Sequence, residues 1–314
     1  MCAPAACSAP AKAVTEFALP EANSLPHLMA KGADGALWFT EQTGHRIGRI
    51  ATEGTITEFA LPQAGNPIGI AAGPDGNMWF TEAPGDRIGR IDPHGTISEF
   101  AAGLSAGSST GSITAGPDGG LWFTEDSGKL GRISTSGTIA EYALPDATGV
   151  MALDGIASDR GHIWFTLGFP KNAIGRMSID TRQIKEFALP EGSSIPQGIT
   201  CGPDGKMWFT LPNSHRIGSI DAVGKITEFE LPDNGGDPGG PSEIALGPDK
   251  SLWFTEFNND RIGKIDTAGT ITELSDGITQ GSSPNGIAVG PDGNIWFTEY
   301  NGNRIGRLKS PAQP

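Results

Sequence analysis

Residues 66–100 read NPIGIAAGPDGNMWFTEAPGDRIGRIDPHGTISEF, and variants of this stretch recur along the whole chain. Tryptophans mark the repeat, because they recur at intervals of 41 to 45 residues and each is followed by Phe and Thr. They are Trp38, Trp79, Trp122, Trp164, Trp208, Trp253 and Trp296. A fixed period of this length is typical of repeat architectures such as solenoids and propellers.

Each repeat contains four short β-prone runs separated by turn residues. In the quoted repeat they are 68–72, 77–82, 87–91 and 96–100. The Pro-Asp-Gly sequence after the first run predicts a hairpin turn, because Pro fixes φ, Asp favours Asx turns and Gly permits positive φ. No stretch has helical periodicity. Four antiparallel strands repeated seven times predict an all-β fold, a seven-bladed β-propeller.

The two ends of the chain complement each other. The seventh repeat stops after its third run, 304–308, whereas residues 14–19 match the pattern of a fourth run. We therefore expect the N-terminal strand to complete the last blade and close the ring, which leaves no exposed terminal blade. The predicted organisation is a flexible Pro/Ala-rich tail at residues 1–13 and the propeller at residues 14–314. The Trp and Phe of each repeat are expected to pack against opposite neighbouring blades.

Composition restricts the class of protein. The chain has 314 residues with 46 Gly and 24 Pro, and their regular recurrence indicates tight turns between strands rather than disorder. The formal charge of −14 disfavours nucleic acid and anionic membranes as partners. No apolar run approaches the roughly 20 residues that span a bilayer. We expect a monomer that takes a small-molecule or peptide ligand in the mouth of the central channel.

The cysteines do not decide whether the protein is exported or cytoplasmic. Cys2 and Cys7 lie in the N-terminal tail and could pair if the protein is exported, but no signal-peptide pattern precedes them. An exported protein whose signal peptide has been removed and a cytoplasmic protein both fit this segment. Cys201 lies inside a strand and is expected to be a small buried filler.

Functional residues are expected at one end of the channel. The first strand of each blade lines the channel, so the turn after the second strand and the link between blades share one face, here called the top face. Its segments vary most between repeats, which suits a site placed on a uniform scaffold. One inner-strand position, the rim position, is occupied in turn by His27, Ile68, Gly111, Asp154, Gln197, Ser242 and Asn285.

A second variable position directly follows Trp-Phe-Thr. Its occupants are Glu41, Glu82, Glu125, Leu167, Leu211, Glu256 and Glu299. If these side chains reach the channel, one side is acidic and the other apolar, which suits a ligand with an apolar body and a polar or metal-chelating edge. Crowded carboxylates there would raise some pKa values or bind Mg²⁺ or Ca²⁺. Alternatively, each Glu pairs with a basic residue of its own hairpin.

Three of the five histidines map to the top face. His27 occupies the rim position and is the candidate general base, because imidazole titrates near neutrality. A rim histidine without a chemical role is the alternative. His45 and His215 lie farther out, in turns between the second and third strands. The chain contains none of the HExxH, P-loop or paired-cysteine motifs.

The repeat GPDGNMWFTE…DRIGRI…GTISEF, carried through all seven units from residue 14 to 314, resembles that of the streptogramin B lyases, also called virginiamycin B lyases. This resemblance implies a seven-bladed propeller that linearises a cyclic depsipeptide antibiotic by Mg²⁺-dependent elimination across an ester. In such a reaction Mg²⁺ acts as a Lewis acid on the ester carbonyl and a histidine removes the α-proton.

The chain departs from the family pattern at the positions to which the resemblance assigns the activity. Where the lyases have Glu-Pro-His-Gly-Ile in the last inner strand, residues 283–287 read SPNGI. The base position is therefore Asn285, and Ser283 replaces the first metal-associated glutamate. The second is kept as Glu299. A substrate-contacting histidine one blade earlier corresponds to Ser242 or Glu243.

Two hypotheses follow from these residues. The first is a streptogramin B lyase-like enzyme, a C–O lyase acting on a cyclic depsipeptide or another ester-bearing small molecule, with its site shifted by one blade. In it His27 is the base, and Glu41 and Glu299 bind Mg²⁺. The substrate-binding residues would be Asn285, Ser242, Glu243, Gln197 and Asp154. The second hypothesis is a non-catalytic propeller that binds a peptide, glycan or partner protein on the same face.

Overall fold

The computed structural model describes residues 13–84, 86–145, 153–193, 195–232 and 240–310. These residues form seven four-stranded antiparallel sheets, one per blade, and a single short 3-10 turn at Pro212–Ser214. The prediction of an all-β, seven-bladed propeller is confirmed. The predicted tail, with Cys2 and Cys7, lies outside the described residues apart from Ala13.

The strands of the first four blades follow the repeat in chain order. The chain begins with β1 (Val14–Ala18). Blade one contains β2 (Pro26–Lys31), β3 (Leu37–Glu41), β4 (Arg46–Ile50) and β5 (Ile56–Ala60). Blade two contains β6 (Pro67–Ala72), β7 (Met78–Glu82), β8 (Arg87–Ile91) and β9 (Ile97–Phe100). Blade three contains β10 (Thr110–Ala115), β11 (Gly120–Glu125), β12 (Lys129–Ser134) and β13 (Ile139–Ala143). Blade four contains β14 (Leu153–Ser158), β15 (His162–Leu167), β16 (Ala173–Ser178) and β17 (Ile184–Ala188).

The remaining three blades complete the ring. Blade five contains β18 (Ile199–Cys201), β19 (Met207–Leu211), β20 (Arg216–Ile220) and β21 (Ile226–Glu230). Blade six contains β22 (Pro241–Leu246), β23 (Leu252–Glu256), β24 (Arg261–Ile265) and β25 (Ile271–Leu274). Blade seven contains β26 (Pro284–Val289), β27 (Ile295–Glu299) and β28 (Arg304–Leu308), and its fourth strand is β1.

Ring closure occurs as the sequence predicts. Strand β1 pairs antiparallel with β28, from Val14 opposite Leu308 to Ala18 opposite Arg304. The ring of Phe17 stacks on Trp296 with centroids 5.5 Å apart, so the N-terminal strand brings its aromatic residue to the place that Phe59 fills beside Trp38 in blade one. The strand therefore supplies both backbone pairing and core to the last blade.

The Trp-Phe pair forms the contacts between blades. Trp38 clusters with Ile70 and Phe80 of blade two, whereas Phe39 clusters with Trp296 of blade seven. These rings are almost completely buried, which confirms their prediction as core. The turn aspartate of each blade accepts a hydrogen bond from its Trp Nε1, for example Asp75 from Trp79 at 3.1 Å. The recurring Pro-Asp-Gly turn therefore also satisfies a buried donor.

An apolar belt lies around the channel, with one residue from each inner strand. Its members are Met29, Ile70, Ile113, Ile156, Ile199, Ile244 and Ile287, all nearly buried. Six of the seven also line a small cavity of about 110 Å³ inside the channel. Cys201 is a half-buried free thiol beside this layer. Among the described residues, no helix has the length and apolar character needed to cross a bilayer.

Candidate functional site

A cavity of about 560 Å³ opens at the top face of the channel; we call it the mouth cavity. Part of its wall comes from the inner strands and the links leading into them: His27, Asp154, Gln197, Ser242, Glu243 and Asn285. The rest comes from top-face loops: Pro212, Asn213, His215, Gly240, Phe257, Asn258 and Tyr300. The structure thus brings the predicted base and all five predicted substrate-binding residues to one cavity.

The threonine of each Trp-Phe-Thr triplet fixes the rim of this cavity. Thr298 Oγ1 accepts a hydrogen bond from the backbone N–H of Gly286 at 2.8 Å and donates one to the carbonyl oxygen of His27 at 2.6 Å. Thr255 likewise donates to the carbonyl oxygen of Asn285 at 2.6 Å. Each hydroxyl therefore ties its own inner strand to the rim residue of the next blade. This buried bridging explains why the repeat carries Thr here.

His27 is half-buried and has the features of a neutral base. Its Nδ1 lies 3.4 Å from the carbonyl oxygen of Ile68. Since a carbonyl oxygen can only accept, Nδ1 carries the hydrogen and Nε2 keeps the lone pair. Burial lowers the pKa of His27, although the contact with Ile68 opposes this effect. A neutral imidazole on the wall of the mouth cavity is able to take a proton from a bound molecule.

Glu243 and Asp154 make the cavity floor acidic. Burial, together with a smaller contribution from the nearby Asp154, raises the pKa of Glu243 to about 8. Burial likewise raises the pKa of Asp154 to about 6, with a smaller contribution from Asp126. Near neutral pH Glu243 is therefore largely protonated, whereas Asp154 is largely ionised.

An aromatic wall faces the cavity, and sequence reasoning missed it. Tyr300 packs against Phe257 with ring centroids 5.7 Å apart and meets the edge of His27 at 5.9 Å. Its hydroxyl donates a hydrogen bond to Gln42 Oε1 at 2.6 Å. Pro212, Phe257 and Tyr300 all lie two residues after the Thr of their repeat. The signal that could have found them is the variability of that position, which holds Gln42, Ala83, Asp126, Gly168, Pro212, Phe257 and Tyr300.

Comparisons with known proteins agree with this architecture. The model of the Virginiamycin B lyase family matches residues 4–166 and 155–313. The chain belongs to the virginiamycin B lyase family. Its fold resembles the crystal structure of the selenomethionine-substituted virginiamycin B lyase from Staphylococcus aureus, with a TM-score of 0.85, 34% identity, and coverage of 95% of this chain and 99% of that one.

Other members of the virginiamycin B lyase family match as well. A streptogramin B lyase structure aligns with a TM-score of 0.83 and 32% identity over 94% of this chain and 96% of that one. A catalytically inactive histidine-to-alanine variant of the S. aureus virginiamycin B lyase with quinupristin has a TM-score of 0.85, 34% identity, and coverage of 95% and 99%. The curated virginiamycin B lyase of Saccharopolyspora erythraea is 41% identical over 51 residues, which is 16% of this chain and 17% of that protein.

Relative to the pattern of the virginiamycin B lyase family, the last inner strand of this chain has no base. Asn285 is almost buried, and its Oδ1 accepts a hydrogen bond from Ser242 Oγ at 2.9 Å. An amide and a hydroxyl offer hydrogen bonds to a ligand but do not take up a proton near neutral pH. Of the residues lining the mouth cavity, His27 and His215 are the imidazoles.

Glu41 and Glu299, the predicted metal ligands, are fully buried and do not line the mouth cavity. Burial and the neighbouring Glu58 raise the pKa of Glu41 to about 7. Burial and the neighbouring Glu16 raise the pKa of Glu299 to about 8. A Cβ atom on Gly44 would lie 2.9 Å from Glu41 Oε2, and one on Gly302 would lie 2.9 Å from Glu299 Oε2, so both carboxyl groups lie against the turns that follow their strands. None of the five glutamates that follow Trp-Phe-Thr lines the mouth cavity or the small cavity beneath it, whereas the next residue along the strand does so in Phe257 and Tyr300.

The alternative, pairing within the hairpin, describes only part of the set. Arg87 contacts Glu82 at 3.0 Å, as predicted for blade two. In blade three, however, Lys129 pairs with Glu141 of the outer strand at 2.6 Å rather than with Glu125. Arg216 and Arg261 similarly contact outer-strand glutamates. The glutamates that follow Trp-Phe-Thr are thus mostly buried carboxyl groups with weak or distant cationic partners.

The residues do not fit a Mg²⁺ site of the predicted composition. Glu41 and Glu299 are fully buried and lie off the wall of the mouth cavity, whereas His27 is part of that wall. Within the part of the chain that the structure describes, no three His, Cys, Asp or Glu side chains come together in a way that could hold a metal ion. Mg²⁺ is usually held by one or two carboxylates together with several waters, and Glu41 and Glu299, both fully buried, offer no side of the carboxyl group to a hydrated ion.

Proposed function

We propose that this protein binds an ester-bearing small molecule of the cyclic depsipeptide type in the mouth cavity and opens it by C–O elimination. The observation that carries the proposal is the place of His27 on the wall of a cavity of about 560 Å³, with its Nδ1 beside the carbonyl oxygen of Ile68 and its pKa lowered by burial. Membership of the virginiamycin B lyase family supports the same reaction class.

The proposed step balances within the substrate. His27 Nε2 takes the proton from the carbon next to a carbonyl group, and the electron pair of that C–H bond forms a carbon–carbon double bond. The C–O bond on the neighbouring carbon breaks, and the ester oxygen leaves as a carboxylate. No water is consumed, so the ring-opened product has the mass of the substrate.

The remaining wall residues suit a peptide-like ligand. Phe257 and Tyr300 offer an aromatic surface for its apolar groups. Gln197 and Asn285 supply amides that can pair with peptide N–H and C=O groups. The volume of the cavity lies in the range that accommodates drug-sized molecules. Since Glu41 and Glu299 do not fit a metal site beside His27, the elimination is assigned to protein groups.

The test is incubation of the full chain with quinupristin, the compound found with the S. aureus relative, followed by mass spectrometry. We expect a ring-opened product of unchanged mass, formed equally with EDTA or Mg²⁺, and lost in His27→Ala. His45→Ala is the matched control, because the His45 Nδ1 contacts the carbonyl oxygen of Gly65 outside the cavity. A product heavier by one water, or full activity in His27→Ala, would contradict the proposal.

A second function is favoured by Asn285 itself. Asn285 stands at the position that the family resemblance assigns to the base, and its amide is hydrogen-bonded to Ser242. An amide at this position suits a non-catalytic propeller that binds its ligand without changing it. Calorimetric titration with quinupristin separates the two functions. Binding by wild type without any product in the mass spectrum supports the binding function and rules out the elimination.

A further inference from the structure

Glu243 breaks the repeat at a position that points into the channel. The equivalent residues of the other blades are Leu28, Gly69, Ser112, Gly155, Gly198 and Gly286, none of which can ionise. Glu243 lines both the mouth cavity and the small cavity beneath it. Its carboxyl group therefore lies at the boundary between the polar mouth and the apolar belt.

The neighbouring blade makes room for this side chain. A Cβ atom on Gly198 would lie only 2.9 Å from Glu243 Oε2. The backbone N–H of Glu243 is held by Thr255 Oγ1 at 3.1 Å, so the residue starts from a fixed point on the rim. The absence of a side chain at Gly198 and the fixed backbone together give the carboxyl group a defined place on the cavity floor.

The lining of the mouth cavity determines how readily the Glu243 carboxyl group ionises. Among the described residues that line the mouth cavity, none is Lys or Arg. The titratable groups that share the cavity are Asp154, His27, His215 and Tyr300. Asp154 disfavours an ionised Glu243, and burial raises the pKa of Glu243 to about 8. A carboxyl group kept neutral in this way can donate a hydrogen bond at neutral pH.

We propose that Glu243 is the proton-donating acid of the mouth cavity and stabilises the departing carboxylate in the role that the family resemblance gives to a metal ion. This inference rests on the elimination proposed above. As the C–O bond breaks, Glu243 transfers its proton to the leaving carboxylate, which therefore departs as the free carboxylic acid, while His27 holds the proton taken from carbon. Transfer of that proton from His27 to Glu243 through solvent restores both groups, so protons and electrons balance.

The protonation state of Glu243 is measured directly by isotope-edited infrared spectroscopy. With ¹³C-labelled glutamate at pH 7, the wild type should show a carboxylic acid C=O band that is missing from Glu243→Gln. Glu53→Gln, which alters an exposed residue, should leave this carboxylic acid band unchanged. Addition of quinupristin should shift the band lost in Glu243→Gln and leave the band lost in Glu299→Gln in place.

Turnover supplies the second measurement. In Glu243→Gln, which keeps size and an N–H donor but cannot release a proton, kcat should fall on the order of 100-fold with KM little changed. In the wild type, kcat should fall as the pH rises through the pKa of Glu243, and this alkaline limb should vanish in the variant. Quinupristin cleavage by Glu243→Gln at the wild-type rate would overturn the proposal.

The outcomes separate this inference from the proposed function. If the wild type and Glu243→Gln show the same carboxylic acid C=O bands at pH 7, Glu243 is ionised, and the acid role fails even if quinupristin is cleaved. If the wild type shows the carboxylic acid band of Glu243 but does not cleave quinupristin, the elimination is refuted. Proton donation from Glu243 to a leaving group is then refuted as well. In that case Glu243 is a neutral donor in a binding site.

Discussion

At the scale of the residue, Glu299 links stability to pH. Its side chain is fully buried, and Arg304 Nη1 lies 3.9 Å from Oε2, too far for a hydrogen bond. Burial and Glu16 raise its pKa to about 8. Between about pH 4.5 and 8 the folded protein therefore holds a proton that the unfolded chain has released. The free energy of unfolding should fall as the pH rises through this window and level off above it.

Glu299→Gln should remove this dependence, because the amide is neutral at every pH. Relative to wild type, the variant should gain at least about 1 kcal/mol in the free energy of unfolding between pH 5 and pH 8.5. Urea denaturation at the two pH values measures the change. Glu53→Gln is the control, since Glu53 is exposed. A difference between Glu299→Gln and wild type that is the same at both pH values contradicts the prediction.

Single residues also show which parts of the candidate site could be predicted from the sequence and which could not. His27, Asn285 and the other rim residues were found because one inner-strand position could be aligned through all repeats. Glu299 was expected in the channel but does not line the mouth cavity, and Tyr300 was overlooked, although they are adjacent. A sequence with period 2 fixes which residues share a face, but not which of the two faces meets the channel where a strand ends. The raised pKa of Glu243 depends on neighbours from other blades, which no local pattern reveals.

At the scale of the element, the third strand of each blade depends on a glycine against a buried ring. Gly218 of β20 lies opposite Phe209 of β19, and a Cβ atom on Gly218 would overlap the Phe209 ring. The ring is fully buried and cannot move away without disturbing blade five. Gly218→Ala should therefore lower the free energy of unfolding by about 1–3 kcal/mol.

Urea unfolding with a double-mutant cycle tests this origin. Phe209→Leu should relieve the overlap, so that Gly218→Ala costs less in the Phe209→Leu background than in wild type. Gly161→Ala is the matched control, because a Cβ atom there meets nothing within 4 Å and φ is not positive. Strictly additive effects of Gly218→Ala and Phe209→Leu would show that the ring contact is not the cause.

Strands and turns were the most predictable part of the molecule. The alternation of residues and the Pro-Asp-Gly turn predicted where the strands lie, because every blade packs against its neighbours with nearly the same residues. Blade five deviates: its inner strand β18 is only Ile199–Cys201, so Gln197 lies in the link before it. The shape of the mouth cavity depends on such links and loops, whose lengths differ between blades, and this is why its aromatic wall could not be predicted.

At the scale of the whole molecule, ring closure and the candidate site depend on the same seam. Blade seven is completed by β1, with Phe17 stacked on Trp296 and Arg307 lying over both rings at 5.3 and 5.4 Å. Across the seam, Thr298 of blade seven holds the carbonyl oxygen of His27 in blade one. If the ring fails to close, the position of His27, the base of the proposed reaction, should therefore change as well.

Deletion of residues 1–18 should open the ring. It removes β1, leaves β28 as an unpaired edge and exposes Trp296, at a cost of at least about 3 kcal/mol for the lost buried side chains alone. Thermal unfolding should show a lower Tm, and a synthetic peptide of residues 13–20 added in trans should raise it again. Deletion of residues 1–12 keeps β1 and is the control. If the longer deletion has the wild-type Tm and does not respond to the peptide, the ring is stable without its N-terminal strand. Because Thr298 links the two sides of the seam, that result would also show that the position of His27 does not depend on ring closure.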